Sequence, residues 1–262
     1  MAAAVPAPDP TSGPIPVPVR VLGGPTVLIE YGGLRFLTDP TFDAPGDYPA
    51  PSGRVLTKTA PPRIGPDGLG PVDAVLLSHD QHADNLDHAG RALLAEVPRT
   101  FTTPSAAGRL GGTARALAPW QSAELPRPGG GTVTVTAAPA LHGPRGCEPI
   151  VGEVTGFVLT SAGLPTVYVS GDNASLELVQ EIADRYAPVD TAVLFAGAPR
   201  LPVLDDALLV LDGAGTATAA RLLDARRVIP AHCDSWSHFT EGREEVVAAF
   251  ERAGLADRLE LD

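Results

Sequence analysis

Apolar and polar positions fall into short blocks that predict many strands and a few helices. From Val17 onward, VPVRVLG, PTVLIEYGG and LRFLTDP are apolar runs of strand length separated by glycine turns. The Gly32-Gly33 pair predicts a tight hairpin turn, because glycine takes positive φ at low cost. DAVLLS (73–78) fits a buried strand, and residues 86–97 read as a helix. After FTT comes a short helix from Ser105, then GTVTVTAAPA (131–140) with strand alternation. In the second half, VTGFVLTS, PTVYVSGD, TAVLFAG and RVIPAH read as strands. Between and after them ASLELVQEIADRYA, TATAARLLDA and GREEVVAAFERAG read as helices. Ser175 or Asn173 would be the first helix's N-cap, and Gly254 the last one's stop. A Pro/Gly-rich stretch, 43–71, predicts a long loop, which in a compact domain is functional or unstructured. Strands in a run, then strands alternating with helices, predict sheets covered by helices. The pattern alone leaves open a doubly wound sheet or a two-sheet sandwich.

Composition narrows the class. A chain of 262 residues suits one domain, at most two. Residues 1–16 are rich in Pro and Ala and predict a disordered tail, leaving 17–262 as a single domain. Gly and Pro number 28 each but follow no period, which excludes a collagen-like chain. The net charge of −12 argues against a nucleic-acid partner, which needs clustered positive charge. Lys58 is the single lysine among 19 basic residues. Two cysteines make no disulfide framework. No apolar run is long enough for a membrane span, and no secretory leader is visible, so the expected location is the cytoplasm. The expected partner is a small-molecule substrate, and nothing in the sequence defines an oligomeric state.

The chemistry lies in where the histidines and aspartates sit. Asp39 follows the strand LRFLT, and His79 and His82 follow DAVLLS within SHDQHADNLD. His142 follows GTVTVTAAPAL, Asp172 follows TVYVSG, and His232 follows RVIPA. Each candidate stands just past a strand's C-terminal end, where α/β folds assemble sites from loops. Imidazoles and carboxylates are good zinc ligands, and an incomplete protein shell leaves a place for water. A lone loop histidine is more often satisfied by local hydrogen bonds; the ordered set of motifs is what favours ligands.

SHDQHADNLD resembles the His-x-His-x-Asp-His loop of the metallo-β-lactamase superfamily. TDP at Asp39, LHGP at His142, SGDN at Asp172 and PAH at His232 resemble its other motifs, in the family's order, over roughly residues 17–240. AHCDSWSHF looks most like the branch related to ascorbate-6-phosphate lactonases. The resemblance implies an α/β fold, the αββα four-layer sandwich, with metals at one edge between two sheets. It implies a metal-dependent hydrolase acting through a metal-bound hydroxide on an ester, lactone, amide or phosphodiester bond. The cofactor would be one or two Zn²⁺, with Mn²⁺ or Fe²⁺ as alternatives. His79, His82 and His142 would hold the first metal; Asp84 and His232 would hold the second, with Asp172 bridging. Asp84 or Asp172 would accept the proton, and Asp39 would orient the loop from behind the ligands.

The loop departs from the family spacing. One residue is inserted, so Gln81 or His82 can stand for the second histidine; imidazole is the better zinc ligand, which favours His82. Asn85 stands where the last histidine would be, which puts the second metal in question. These two features motivate an alternative: a non-hydrolytic member of the same fold that uses the cleft for binding. An iron-binding oxidoreductase on this fold is a third reading, without the flavin domain of the flavodiiron proteins. Among the remaining candidates, Asp84 reads also as a helix cap, and His88 as a surface residue. His238 reads as packing near Trp236 and Phe239, or as bordering the cleft. Cys233 reads as a small buried apolar residue. Arg145 and Arg200 are loop arginines suited to an anion or simply solvated.

Overall fold

In a computed structural model, residues 16–49 and 55–261 are described. The tail expected over 1–16 lies outside the described residues except for Pro16. The first sheet begins with β1 (Val19–Gly23), β2 (Thr26–Tyr31) and β3 (Leu34–Thr38). A small hairpin, β4 (Gly46–Pro49) and β5 (Val55–Lys58), stands apart as its own two-stranded sheet. β6 (Ala74–Leu76), helix α1 (His88–Leu93), β7 (Thr100–Thr102), helix α2 (Pro104–Leu110) and β8 (Ala114–Ala116) complete that half, in the order β1-β2-β3-β6-β7-β8.

The second half starts with β9 (Ser122–Pro126), β10 (Thr132–Pro139), the short helix α3 (Glu148–Val151), β11 (Thr155–Thr160) and β12 (Val167–Val169). Helix α4 (Leu176–Tyr186), β13 (Thr191–Phe195), a small β14 (Arg200–Leu201) and β15 (Ala207–Leu208) pair, α5 (Gly213–Leu222), β16 (Arg227–Ala231) and α6 (Arg243–Ala253) follow. The second sheet runs β16-β13-β12-β11-β10-β9.

Alternation along each strand explains the layers. In β13, Val193 and Phe195 face the first sheet, while Ala192 and Leu194 pack with α4–α6 residues such as Ile182, Ala219 and Phe250. In β2, Val27, Ile29 and Tyr31 join the inter-sheet core, while Leu28 faces Leu86 and Leu94 beside α1. Strands buried on both faces read as continuous apolar runs, which is why periodicity alone did not separate the two architectures. The result is the four-layer αββα sandwich.

Several local expectations change. The 43–71 stretch is not a bare loop: it carries the β4–β5 hairpin and a short 3₁₀ turn. The helix over 86–97 is only His88–Leu93, and Asp87 caps it, accepting from the Gly90 amide, so Asp84 is free of that role. Ser175 caps α4 through the Leu178 amide, and Gly254 ends α6 at φ 68°. The Gly32-Gly33 turn has φ of 63° and 82°, as a primed hairpin turn requires.

Candidate metal centre

β3 and β6 are parallel neighbours, as are β12, β13 and β16, so these strands deliver their following residues to one edge. Asp39 comes from β3, Ser78 and His79 from β6, Asp172 from β12 and His232 from β16. His142 arrives from the loop after β10. Asp39 and His232 hold positive φ, 28° and 53°, a strained conformation for such residues that persists where surroundings enforce it. For His232 they do so by a backbone bond to the Gly24 carbonyl at 2.7 Å.

The side chains form two groups joined by Asp172. In the first, one ring nitrogen each of His79, His82 and His142 lie within 4.8 Å of one another. His79 Nε2 and His82 Nδ1 are 2.9 Å apart. His142 Nδ1 is 2.8 Å from the Leu209 carbonyl; a carbonyl only accepts, so Nδ1 carries the proton and Nε2 keeps a lone pair. In the second group, Asp84 Oδ2 meets His232 Nε2 at 3.3 Å and His238 Nε2 at 3.0 Å. Asp172 Oδ1 accepts from His232 Nδ1 at 3.0 Å and Asn85 Nδ2 at 2.9 Å, while its Oδ2 lies 3.7 Å from His142 Nδ1. Behind them Asp39 Oδ1 accepts from the Ser78 amide at 2.6 Å, pinning the strand end that carries His79.

The loop after His79 settles into a turn. The amides of Asn85 and Leu86 both reach the His82 carbonyl. Gln81 is exposed and its side chain lies against Gly152. Asp80 turns the other way and is held by Arg109.

Electrostatics suit ligands. Burial, reinforced by the neighbouring His82, holds His79 well below the usual imidazole range, and burial brings His142 down to about 4. Both rings are therefore neutral near pH 7, the form that binds metals. Burial opposes ionisation of Asp84, but His238 and His232 outweigh it and hold the carboxyl well below its usual range. Asp172 is likewise lowered against burial by His232 and His142. Burial would lower His232, yet Asp172 and Asp84 push it up to about 10. A proton on His232 and a divalent cation are thus competing ways to neutralise two carboxylates. Asp39 is pushed up to about 8, chiefly by burial and then by Asp172. Asp84 Oδ1 is buried without a hydrogen-bond partner. Three clustered imidazoles, two of them held neutral, with two ionised carboxylates and an unpartnered oxygen, fit a divalent metal.

His238, read from sequence as packing or as bordering the cleft, does both: it packs on Phe239 and lines the cleft, and its contact with Asp84 Oδ2 at 3.0 Å is the part that sequence did not reveal. The one available signal was its place six residues after His232, in the same loop. Of the other candidates, His88 is exposed, Cys233 is buried, and Arg145 pairs with Glu177 at 2.9 Å.

A cavity of about 690 Å³ opens over the cluster, with His82, Asp84, His142, Asp172 and His238 in its wall. The rest is mainly apolar, including Leu56, Ile150, Leu201 and Val203. Ile150 and Val203 are exposed at 55% and 71%, so the apolar surface continues to the rim.

These features define a metallo-β-lactamase-type sandwich with a histidine/aspartate centre at its edge. The Beta-lactamase superfamily domain model matches residues 34–233, so the chain belongs to the metallo-β-lactamase superfamily and is a metal-dependent hydrolase by class. It is 29% identical over 187 residues to a protein of Methanosphaerula palustris named metal-dependent hydrolase, covering 69% of this chain and 77% of that one. It is 25% identical over 245 residues to a like-named protein of Pyrobaculum aerophilum, covering 91% and 93%. The fold matches the crystal structure of an isothiocyanate hydrolase from Delia radicum gut bacteria, with TM-score 0.77, 21% identity and coverage of 93% and 95%. Among the described residues no helix is long and apolar enough to cross a membrane.

Proposed function

We propose that this chain hydrolyses small, uncharged, largely apolar substrates with an acyl centre, an ester, lactone or amide, at a metal centre built on His79, His82 and His142. The observation that carries this is the three-imidazole cluster opening directly into an apolar-walled cavity. Zn²⁺ suits the donor set best. Asp84, His232 and Asp172 extend that set toward a second ion. A divalent metal bound there supplies Lewis acidity and makes a water acidic enough to ionise near neutral pH.

The protein's own groups supply positioning and proton handling. Asn85 and His232 fix Asp172 Oδ1, which leaves Oδ2 as the oxygen able to take a proton. The Leu209 carbonyl fixes the His142 tautomer, and Asp39 fixes the Ser78 end of β6. Arg200, whose Nη1 donates to the Asp206 carbonyl, is the single arginine or lysine of the cavity wall among the described residues. Beyond the metal itself, an anionic phosphodiester would meet little cationic surface there, whereas an apolar acyl substrate meets a matching wall.

A panel of nitrophenyl esters, lactones, amides and bis-nitrophenyl phosphate, assayed with added Zn²⁺ or Mn²⁺, tests the reading. Turnover should favour acyl substrates with apolar acyl groups. Selective turnover of the phosphodiester, or none of any substrate, would contradict it.

A further inference from the structure

We propose that His238 is a metal ligand, supplying to the second metal position the imidazole that Asn85 cannot. The proposal rests on reading the histidine cluster as the first metal position, and adds a residue to the centre.

Asn85 commits its amide nitrogen to neighbouring groups and leaves only its Oδ1 buried without a hydrogen-bond partner. Its side chain is fully buried, and its amide nitrogen donates to Asp172 Oδ1 at 2.9 Å, with Ser78 Oγ at 3.4 Å and Asp39 Oδ2 at 3.5 Å. The NH₂ end thus ties three site-supporting groups together. An amide oxygen is in any case a poorer partner for zinc than an imidazole.

His238 has the opposite character. Its Nε2 and the Nε2 of His232 converge on one oxygen, Asp84 Oδ2, at 3.0 Å and 3.3 Å. Ligand atoms around a tetrahedral zinc with bonds of ~2.0–2.1 Å stand roughly 3.3 Å apart, so these separations suit three atoms sharing one ion. The ring is not satisfied by local packing: His238 Nδ1 and Asp84 Oδ1 are both buried without a hydrogen-bond partner. The side chain is 13% exposed and forms part of the cavity wall with His82, Asp84, His142 and Asp172.

The loop is braced to hold this ring. The Ser237 amide donates to the Thr57 carbonyl at 3.0 Å, and the Thr59 amide to the Ser235 carbonyl at 2.7 Å, so β5 grips the segment on both sides of Trp236. Phe239 packs on the His238 ring with centroids 4.5 Å apart. The hairpin in the Pro/Gly-rich stretch thereby gains a purpose: it positions a ligand.

Co²⁺ titration of the full-length, chelator-stripped protein tests this, with calorimetry and d–d absorption as readouts. Unaltered protein should take up two Co²⁺ per chain. His238→Ala should keep one tight equivalent and weaken the second at least ~100-fold, beyond what loss of a supporting contact costs. His238→Cys should recover the second equivalent and add a thiolate-to-cobalt charge-transfer band. Unaltered protein, whose Cys147 and Cys233 are buried, should lack that band. Near-ultraviolet circular dichroism of the stripped proteins controls for folding. Two tight equivalents in His238→Ala, or no charge-transfer band in a folded His238→Cys, would overturn the proposal alone. A single equivalent in unaltered protein would also overturn it, and no uptake at all would overturn the metal-centre reading with it.

Discussion

Lys58 Nζ lies 3.0 Å from Asp87 Oδ2 with both side chains buried, joining the β4–β5 hairpin to the cap of α1. The ammonium also stands 5.7 Å from the centre of the Trp236 ring, and Asp87 Oδ2 accepts from the Asp43 amide at 2.7 Å. The chain's only lysine thus closes a junction between the hairpin, the first helix and the loop that carries His238. Removing one partner of a buried pair strands the other charge and costs about 3–5 kcal/mol. Lys58→Met should therefore lower stability by about that amount in reversible denaturant unfolding. A loss below about 1 kcal/mol would show that water reaches Asp87 once the lysine is gone.

Gly90 should be equally intolerant, for a steric reason. A β-carbon there would stand 1.8 Å from the Pro40 carbonyl oxygen, the residue after Asp39. Helix propensity alone predicts that Gly90→Ala stabilises by about 1 kcal/mol. Overpacking should win, giving a net loss of about 1–3 kcal/mol, or a Tm drop of roughly 2–4 °C for each kcal/mol in a chain this size. An unchanged or raised Tm would mean that α1 moves off β3 at little cost.

Asp39, His79, His142, Asp172 and His232 could be singled out from sequence because each follows an apolar strand, and parallel strands bring such ends to one edge. The two-sheet arrangement needed the family resemblance, since doubly buried strands lose the alternation that assigns their faces. Lys58–Asp87 and Asp84–His238 left no local trace. Each joins residues far apart in sequence, and a Pro/Gly-rich composition does not announce a hairpin. The short cap at Asp87 was hidden by Asp84, which has the same side chain three residues earlier.

The inserted residue in the histidine loop makes a sharp pair of variants. His82 Nδ1 is 2.9 Å from His79 Nε2, whereas Gln81 is exposed and lies against Gly152. His82→Ala should lose most bound metal, with hydrolysis falling at least 100-fold, on the order of what a single directly acting group contributes. Gln81→Ala should keep its metal content. Elemental analysis of the two purified variants checks this, and the reverse result would put the insertion after Gln81.

Hydrolysis here should depend on metal held by the buried histidines and carboxylates. The most direct test of this dependence is one protein sample taken through chelation and metal return, with metal content by elemental analysis and hydrolysis of an apolar nitrophenyl ester followed together. Activity should disappear as metal is stripped and return in proportion to the Zn²⁺ restored, with the fold intact throughout. Metal-stripped protein that hydrolyses the ester at its original rate would contradict it.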